Sequence, residues 1–356
     1  MTGAAVCLGL LVPATAVAAT QAALAALGRF PRRRQLPQST AHAPAFVVLI
    51  PAHDEEVTLP SSLRSVAEQD YPSECVRVVV VADNCTDATA AVAAGEGARV
   101  VVRDDAAHRG KGYAIAAGLD ALRDEAFDAV LILDADCTLN PAALRALAAT
   151  LATGADVVQA SLRSRNADTG PGGFVAAVGS AVDAAVAAGR ERLGLAGRLR
   201  GTGMAFRRSA LDRVRWATAS PVEDAEYDRQ LRRAGVWVSY CAEAEVTAAA
   251  PPRLADLCRQ RRRWAAAGPA GSKPLALALV AAAVFVALVI GEFIGWAVVL
   301  AALVVGVYGA AAAEVGFTRR RLAFALAAPA VVTRLAAVAV AGWVKPAGGW
   351  EPARAG

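Results

Sequence analysis

The chain has 356 residues, 56% of them hydrophobic, and a positive mean hydropathy of +0.40. That is too apolar for an ordinary soluble enzyme of one or two domains, so part of its surface is expected to face lipid. The net charge of +5 sits in arginine runs beside or near apolar stretches (Arg32-Arg33-Arg34, Arg261-Arg262-Arg263, Arg319-Arg320-Arg321), with no interleaved aromatic residues. This argues against nucleic acid and fits cytoplasmic loops and membrane lipids.

Residues 1–28 carry no charge, and Arg29 to Arg34 follow rather than precede them. The order is opposite to that of a secretory signal, so a retained transmembrane anchor is expected, with its N-terminus outside. Residues 29–45 read as a basic, proline-containing linker. From 46 to 264 the pattern is that of a cytoplasmic α/β domain. Short β-branched runs (Phe46–Ile50, Val76–Val81, Val100–Val102, Val130–Leu133) alternate with alanine-rich helical stretches near 57–69, 86–95, 112–124 and 141–153. Nearly all-apolar strands alternating with helices predict a mostly parallel sheet covered on both faces, with ligands at the strands' carboxyl ends. Residues 265–344 hold three further expected spans: Leu275–Ile290, Phe293–Ala313 with Glu292 near the intervening outer turn, and Leu322–Val344. A tail of 345–356 remains. Arg334 lies inside the last span, either as a functional charge or as one turned into a protein interior. The six cysteines are scattered without CxxC spacing and read as reduced structural thiols, and three histidines exclude a His-rich metal site.

The charged motifs fall at strand ends. Leu131-Ile132-Leu133 runs into Asp134-Ala135-Asp136; in an extended segment both carboxylates face one side, and hard oxygen donors suit Mg²⁺ or Mn²⁺. A lone DxD is as readily a solvated turn, so its context decides. The first strand ends in Ile50-Pro51-Ala52-His53-Asp54-Glu55-Glu56, whose acids either cap a helix or accept ribose hydroxyls. The second ends in Ala82-Asp83-Asn84-Cys85-Thr86-Asp87, where Asp83 can accept a nucleobase N–H. In His108-Arg109-Gly110-Lys111-Gly112, glycines permit close backbone approach and Lys111 can meet a phosphate; the spacing is not that of a P-loop. Val222-Glu223-Asp224 opens a helix expected to end near Gly235, either as an acidic helix start or as a general base. Gln260-Arg261-Arg262-Arg263-Trp264 precedes the spans, offering arginine to a diphosphate and a tryptophan face to a sugar.

In this order the motifs, with Gly201-Thr202-Gly203-Met204 between the DxD and the acidic pair, resemble inverting glycosyltransferases of family 2. The resemblance covers 46–264 and is to the membrane-integrated branch containing cellulose, chitin, hyaluronan and nodulation chitooligosaccharide synthases. It implies a GT-A-like fold, a nucleotide-sugar donor (a UDP-sugar expected) and a glycan or lipid-linked acceptor. By the same resemblance Pro51, His53 and Glu55 would line the nucleoside, Asp83 the base and Lys111 the diphosphate. Asp134 would contact the nucleotide and Asp136 the metal. Gly201, Thr202, Gly203, Met204 and Glu223 would border the acceptor, with Asp224 as general base. Gln260, Arg263 and Trp264 match a QxxRW pattern that holds the diphosphate and the acceptor end. Two positions depart from the family: Asp54 stands where Asn is usual, and Ala82 replaces the first acid of a DD pair. A polymerising synthase and a single transfer to a polyprenyl phosphate or glycolipid are both compatible with this pattern. A catalytically inactive nucleotide-sugar-binding component is the alternative of another class.

Overall fold

A computed structural model describes residues 3–30, 43–218, 220, 222–251, 253–265, 273–291 and 293–344. Contacts divide the chain into two compact units that do not follow its linear order. The first comprises Met1–Pro31, Ser164–Leu193 and Ala250–Gly356, the second Arg32–Arg163 and Gly194–Ala249.

The second unit is built on one eight-stranded sheet. β1 (Phe46–Ala52), β2 (Val76–Asp83), β3 (Arg99–Arg103) and β4 (Ala129–Ile132) form its parallel half, close to the four expected strands. Beyond β4 come β5 (Cys137–Leu139), β6 (Val157–Ser164), β7 (Met204–Arg207) and β8 (Val238–Ala248), in the spatial order β3-β2-β1-β4-β7-β6-β8-β5. Here the pairs β4–β7, β6–β7 and β5–β8 are antiparallel. The sheet is therefore mixed; its short strands β5 and β7 escape a sequence reading because runs of three or four residues carry no detectable periodicity. Successive β1 residues point to opposite faces and all are buried: Phe46, Val48 and Ile50 enter one core, Val47 and Leu49 the other. The first core is closed by α2 (Leu59–Ala67), α3 (Thr89–Gly95) and α5 (Ala143–Ala152). The second is closed by α4 (Lys111–Ala121), α7 (Arg208–Arg213) and α8 (Glu223–Arg233).

The other unit is helical: α1 (Gly3–Arg29), α6 (Pro171–Arg192), α9 (Leu254–Ala265), α10 (Lys273–Ile290), α11 (Ile294–Val315) and α12 (Arg319–Val344). Four segments, Cys7–Arg29, Pro171–Arg192, Ile294–Val315 and Arg319–Ala341, are long and apolar enough to cross a membrane by length and composition; the apolar stretch Val280–Ile290 of α10 is shorter. α6 is absent from the spans expected above, and half of it is enclosed by protein against 22% for the other three. Cys7, Leu11 and Ala18 of α1 pack on Val280, Ala283 and Ala287 of α10 and Ala297 and Leu300 of α11, and the Trp296 indole donates to the Thr15 hydroxyl at 2.8 Å. The opposite ends of α1 and α11 pack on α6 through Ala25, Val307 and Ala311, joined by Phe324 of α12. A Cβ on Gly28 would meet the Ala185 carbonyl at 1.9 Å, and one on Gly189 the Leu24 carbonyl at 2.0 Å, so α1 and α6 cross backbone to backbone. Arg334 is exposed on α12, so a charge turned into the protein interior does not describe it. Glu292 and Arg32-Arg33-Arg34 lie outside the described residues.

Candidate active site

Because β1, β2 and β4 run parallel, their carboxyl ends open on one edge of the sheet, and the sequence motifs follow from there. On the β2 side Asp83 is buried and already partnered. In register across β3, Arg103 donates to its carboxylate at 2.6 Å, as does the Asn84 amide at 2.9 Å. The His53 ring nitrogen Nδ1 lies 2.7 Å from the Asp83 carbonyl. Arg103 escaped the sequence reading. The available signal was its position as the last residue of a β-branched run, directly across from Asp83.

The acids after β1 lace two loops together. Asp54 has a positive φ of 52° and accepts from the Thr86 N–H at 2.6 Å. Asn and Asp share tolerance of this left-handed conformation, so Asp at a position usually Asn is no structural conflict. Glu56 accepts from the Ala88 N–H at 2.9 Å. Glu55 accepts from the Thr58 hydroxyl, and its own N–H donates to the Thr89 hydroxyl at 2.8 Å. Pro51 is buried within β1.

The densest convergence surrounds Lys111, the first residue of α4. Its ammonium forms an ion pair with Asp134, lies 3.6 Å from Glu223 and donates to the Gly201 carbonyl at 2.7 Å. A Cβ on Gly201, whose φ is +84°, would lie 3.6 Å from an Asp224 oxygen and 3.7 Å from the Lys111 nitrogen. One cation thus ties the DxD turn, the glycine loop and the acidic start of α8. Asp134-Ala135-Asp136 is not extended as expected: it is the turn between β4 and β5, closed by the Cys137 N–H on the Asp134 carbonyl at 3.0 Å. Ser62 fixes that turn by donating to the Ala135 carbonyl at 2.7 Å. The Asp134 N–H donates to the Thr202 hydroxyl at 3.0 Å. Behind it the buried Gln159 amide, also missed in the sequence, donates to the Thr202 carbonyl at 2.8 Å and accepts the Arg200 N–H at 2.9 Å. Met204 begins β7, and the Gly203 N–H donates to the Ile132 carbonyl at 2.9 Å.

Burial sets the proton affinities. It raises the carboxyls of Asp134, Glu223 and Asp224, with Lys111 opposing the rise in each. About a third of the Asp134 side chain reaches solvent, yet the surrounding protein still disfavours its charge. For Lys111 burial disfavours the charge, but Asp134 and Glu223 outweigh it and the ammonium is held above its ordinary value. Ligand atoms of Asp134, Asp136 and Cys137 lie within 4.8 Å of one another. Burial keeps the Cys137 thiol protonated, so the donors that fit a hard divalent cation are the two carboxylates.

Gln260, Arg263 and Trp264 lie on α9, in the helical unit, at positions sharing one helix face. α9 is held there by Leu257 against Val331 and Leu335 of α12. The Arg261 guanidinium stacks over Trp264 at 4.8 Å.

Residues 43–267 match the model of glycosyltransferase like family 2. YdaM of Bacillus subtilis, named a probable glycosyltransferase, is 26% identical over 232 residues, 62% of this chain and 54% of that protein. An uncharacterized glycosyltransferase of Mycobacterium tuberculosis is 37% identical over 114 residues, 32% of this chain and 47% of that one. The matches thus span about half the length of these relatives. Among solved structures, the mannosyltransferase PcManGT of Pyrobaculum calidifontis, in complex with GDP-Man and Mn²⁺, superposes with a TM-score of 0.58 at 19% identity, covering 95% of this chain and 99% of that one. That likeness establishes the mixed α/β, GT-A-like fold with its apolar helices. With the family model spanning more than half of its length, the chain belongs to glycosyltransferase like family 2 and is a transferase.

Proposed function

We propose that this protein is a membrane-bound, inverting glycosyltransferase that moves a sugar from a nucleotide-sugar to a glycan or lipid-linked acceptor at the cytoplasmic face. The observation that carries the reading is the convergence of Asp134, Gly201, Glu223 and Asp224 on Lys111 at the carboxyl edge of the sheet. Asp224 is the general base, taking the proton of the acceptor hydroxyl as that oxygen attacks the anomeric carbon from the face opposite the leaving diphosphate. Asp83 and Arg103 present a charged pair to the base, His53 and Glu55 line the nucleoside, and Lys111 turns its charge to the diphosphate. Asp136, with Asp134 beside it, would hold Mg²⁺ or Mn²⁺, whose charge when bound stabilises the departing nucleoside diphosphate. Gly201 to Met204 border the acceptor, and Gln260, Arg263 and Trp264 serve the diphosphate and the acceptor end. The apolar helices supply the anchorage.

A UDP-sugar is the expected donor, and GDP-mannose belongs in the same screen because PcManGT is known in complex with it. The test is nucleotide release and sugar transfer by purified protein. Asp224→Asn is expected to lower transfer by about 10²–10⁴-fold with donor binding by calorimetry nearly unchanged; equal loss of both overturns the general-base role. Exhaustive chelation is expected to abolish transfer, with recovery on adding Mn²⁺ or Mg²⁺. Full activity in the chelated protein overturns the metal.

A further inference from the structure

Away from the active-site edge, the segment after α6 is fastened to the corner between α8 and β8. The Gly197 N–H donates to the Val238 carbonyl at 2.6 Å, an approach so close that a Cβ on Gly197 would meet that oxygen at 2.9 Å. Arg232 donates to the Gly197 carbonyl at 2.7 Å, and Asp228 accepts the Leu199 N–H at 3.3 Å. These bonds fix the backbone beside two large apolar side chains that stay exposed among the described residues: Trp237 is 64% exposed and Leu195 44%. Isolated exposed apolar residues are ordinary on protein surfaces. Here, however, the aromatic stands between the Ala234-Gly235 turn and the start of β8, a second apolar side chain lies two residues before the fastened Gly197, and the exposed charges of these segments have one sign.

Arg198, Arg229 and Arg233 are exposed in the same segments. Asp228 is buried and neutralised by Arg232 at 2.8 Å, which leaves Glu226, partly buried a turn earlier, as the other acid of α8's later turns. An exposed amphipathic indole in segments whose exposed charges are all arginine is a composition that settles at the headgroup level of an anionic bilayer. The chain also reaches Leu195 only three residues after the end of α6, a helix of the apolar unit.

We propose that the Leu195–Trp237 corner is a membrane-contact surface, with these two side chains entering the headgroup region and Arg198, Arg229 and Arg233 meeting anionic lipid. This rests on the membrane reading of the helical unit given above.

The experiment uses the full-length chain in nanodiscs of phosphatidylcholine and phosphatidylglycerol whose acyl chains are brominated close to the glycerol. Tryptophan quenching is compared between the native protein and Trp237→Phe. The native protein, with six tryptophans, is expected to lose a larger fraction of its emission than the variant, and the difference is expected to shrink when phosphatidylglycerol is omitted. Equal quenching of the two proteins by bromine, with the Trp237 emission quenched by aqueous iodide instead, overturns the proposal. So does a dimer in detergent that dissociates on Leu195→Ser with Trp237→Ser, since the surface would then belong to a second copy. A chain that fails to enter nanodiscs at all removes the membrane reading together with this one, whereas a chain that enters them with Trp237 still in water removes this one alone.

Discussion

Lys111 and Asp224 both approach Gly201, and the charge coupling between them makes the proposed base testable by pH. A carboxylate acts as a base only when ionised, and burial makes ionisation of Asp224 harder than for a free aspartate, whose value is 3.8. The acid limb of kcat/KM is therefore expected above pH 3.8, with activity lost as pH falls through it. Lys111 opposes the rise, so Lys111→Met is expected to move the limb further upward as well as to lower the rate. A pH–rate profile for each protein measures both shifts, and a limb that stays put in the variant contradicts the coupling. Arg103 in turn pairs with the buried Asp83 carboxylate at 2.6 Å.

At the level of elements, the crossing of α1 and α6 depends on two residues that have no side chain. Gly28 and Gly189 sit where each helix touches the other's backbone carbonyls. In an apolar surrounding, where burying hydrocarbon adds little, such close approach is what favours helix association. Gly189→Leu forces the helices apart and is expected to destabilise by about 3 kcal/mol, read as a lower unfolding temperature in detergent. Gly179→Leu on the same helix is the control, because a Cβ there meets nothing within 4 Å; comparable losses in both variants would contradict the close-crossing account.

For the whole molecule, α6 is the helix whose placement hydropathy leaves undecided. It is long and apolar enough to span, yet both of its ends are tied beside the basic termini of the other helices. Ahead of its first turn Asp168 receives a two-pronged bond from Arg321 at the start of α12, at 2.8 and 2.5 Å. At its far end Arg192 donates to the Phe30 carbonyl just past α1. If arginine-rich ends mark the cytoplasmic side, both ends of α6 belong there and it lies across the bundle's inner ends. Cysteines placed at the exposed Thr169 and Gly194, in a chain whose six native cysteines are replaced, are expected to react with an impermeant maleimide from the same side of the membrane. Opposite sidedness would make α6 a span.

Much of this was legible in the sequence. Four β-branched runs gave β1 to β4 to within about two residues; β1 and β4 are buried on both faces, and such a strand needs nothing but apolar side chains. The chemistry-bearing motifs were visible because charge stands out where an apolar strand stops, and their order carried the family. Pairing decided the rest. The short strands β5 and β7 exist only through their neighbours. The DxD became a turn because β5 reverses to meet β8, and Asp83 found Arg103 through register rather than spacing. The passage of α6 and α9 into the helical unit was equally hidden, because a hydropathy window measures only whether a helix can enter lipid, whereas its packing partners, brought from distant parts of the sequence, decide what covers it.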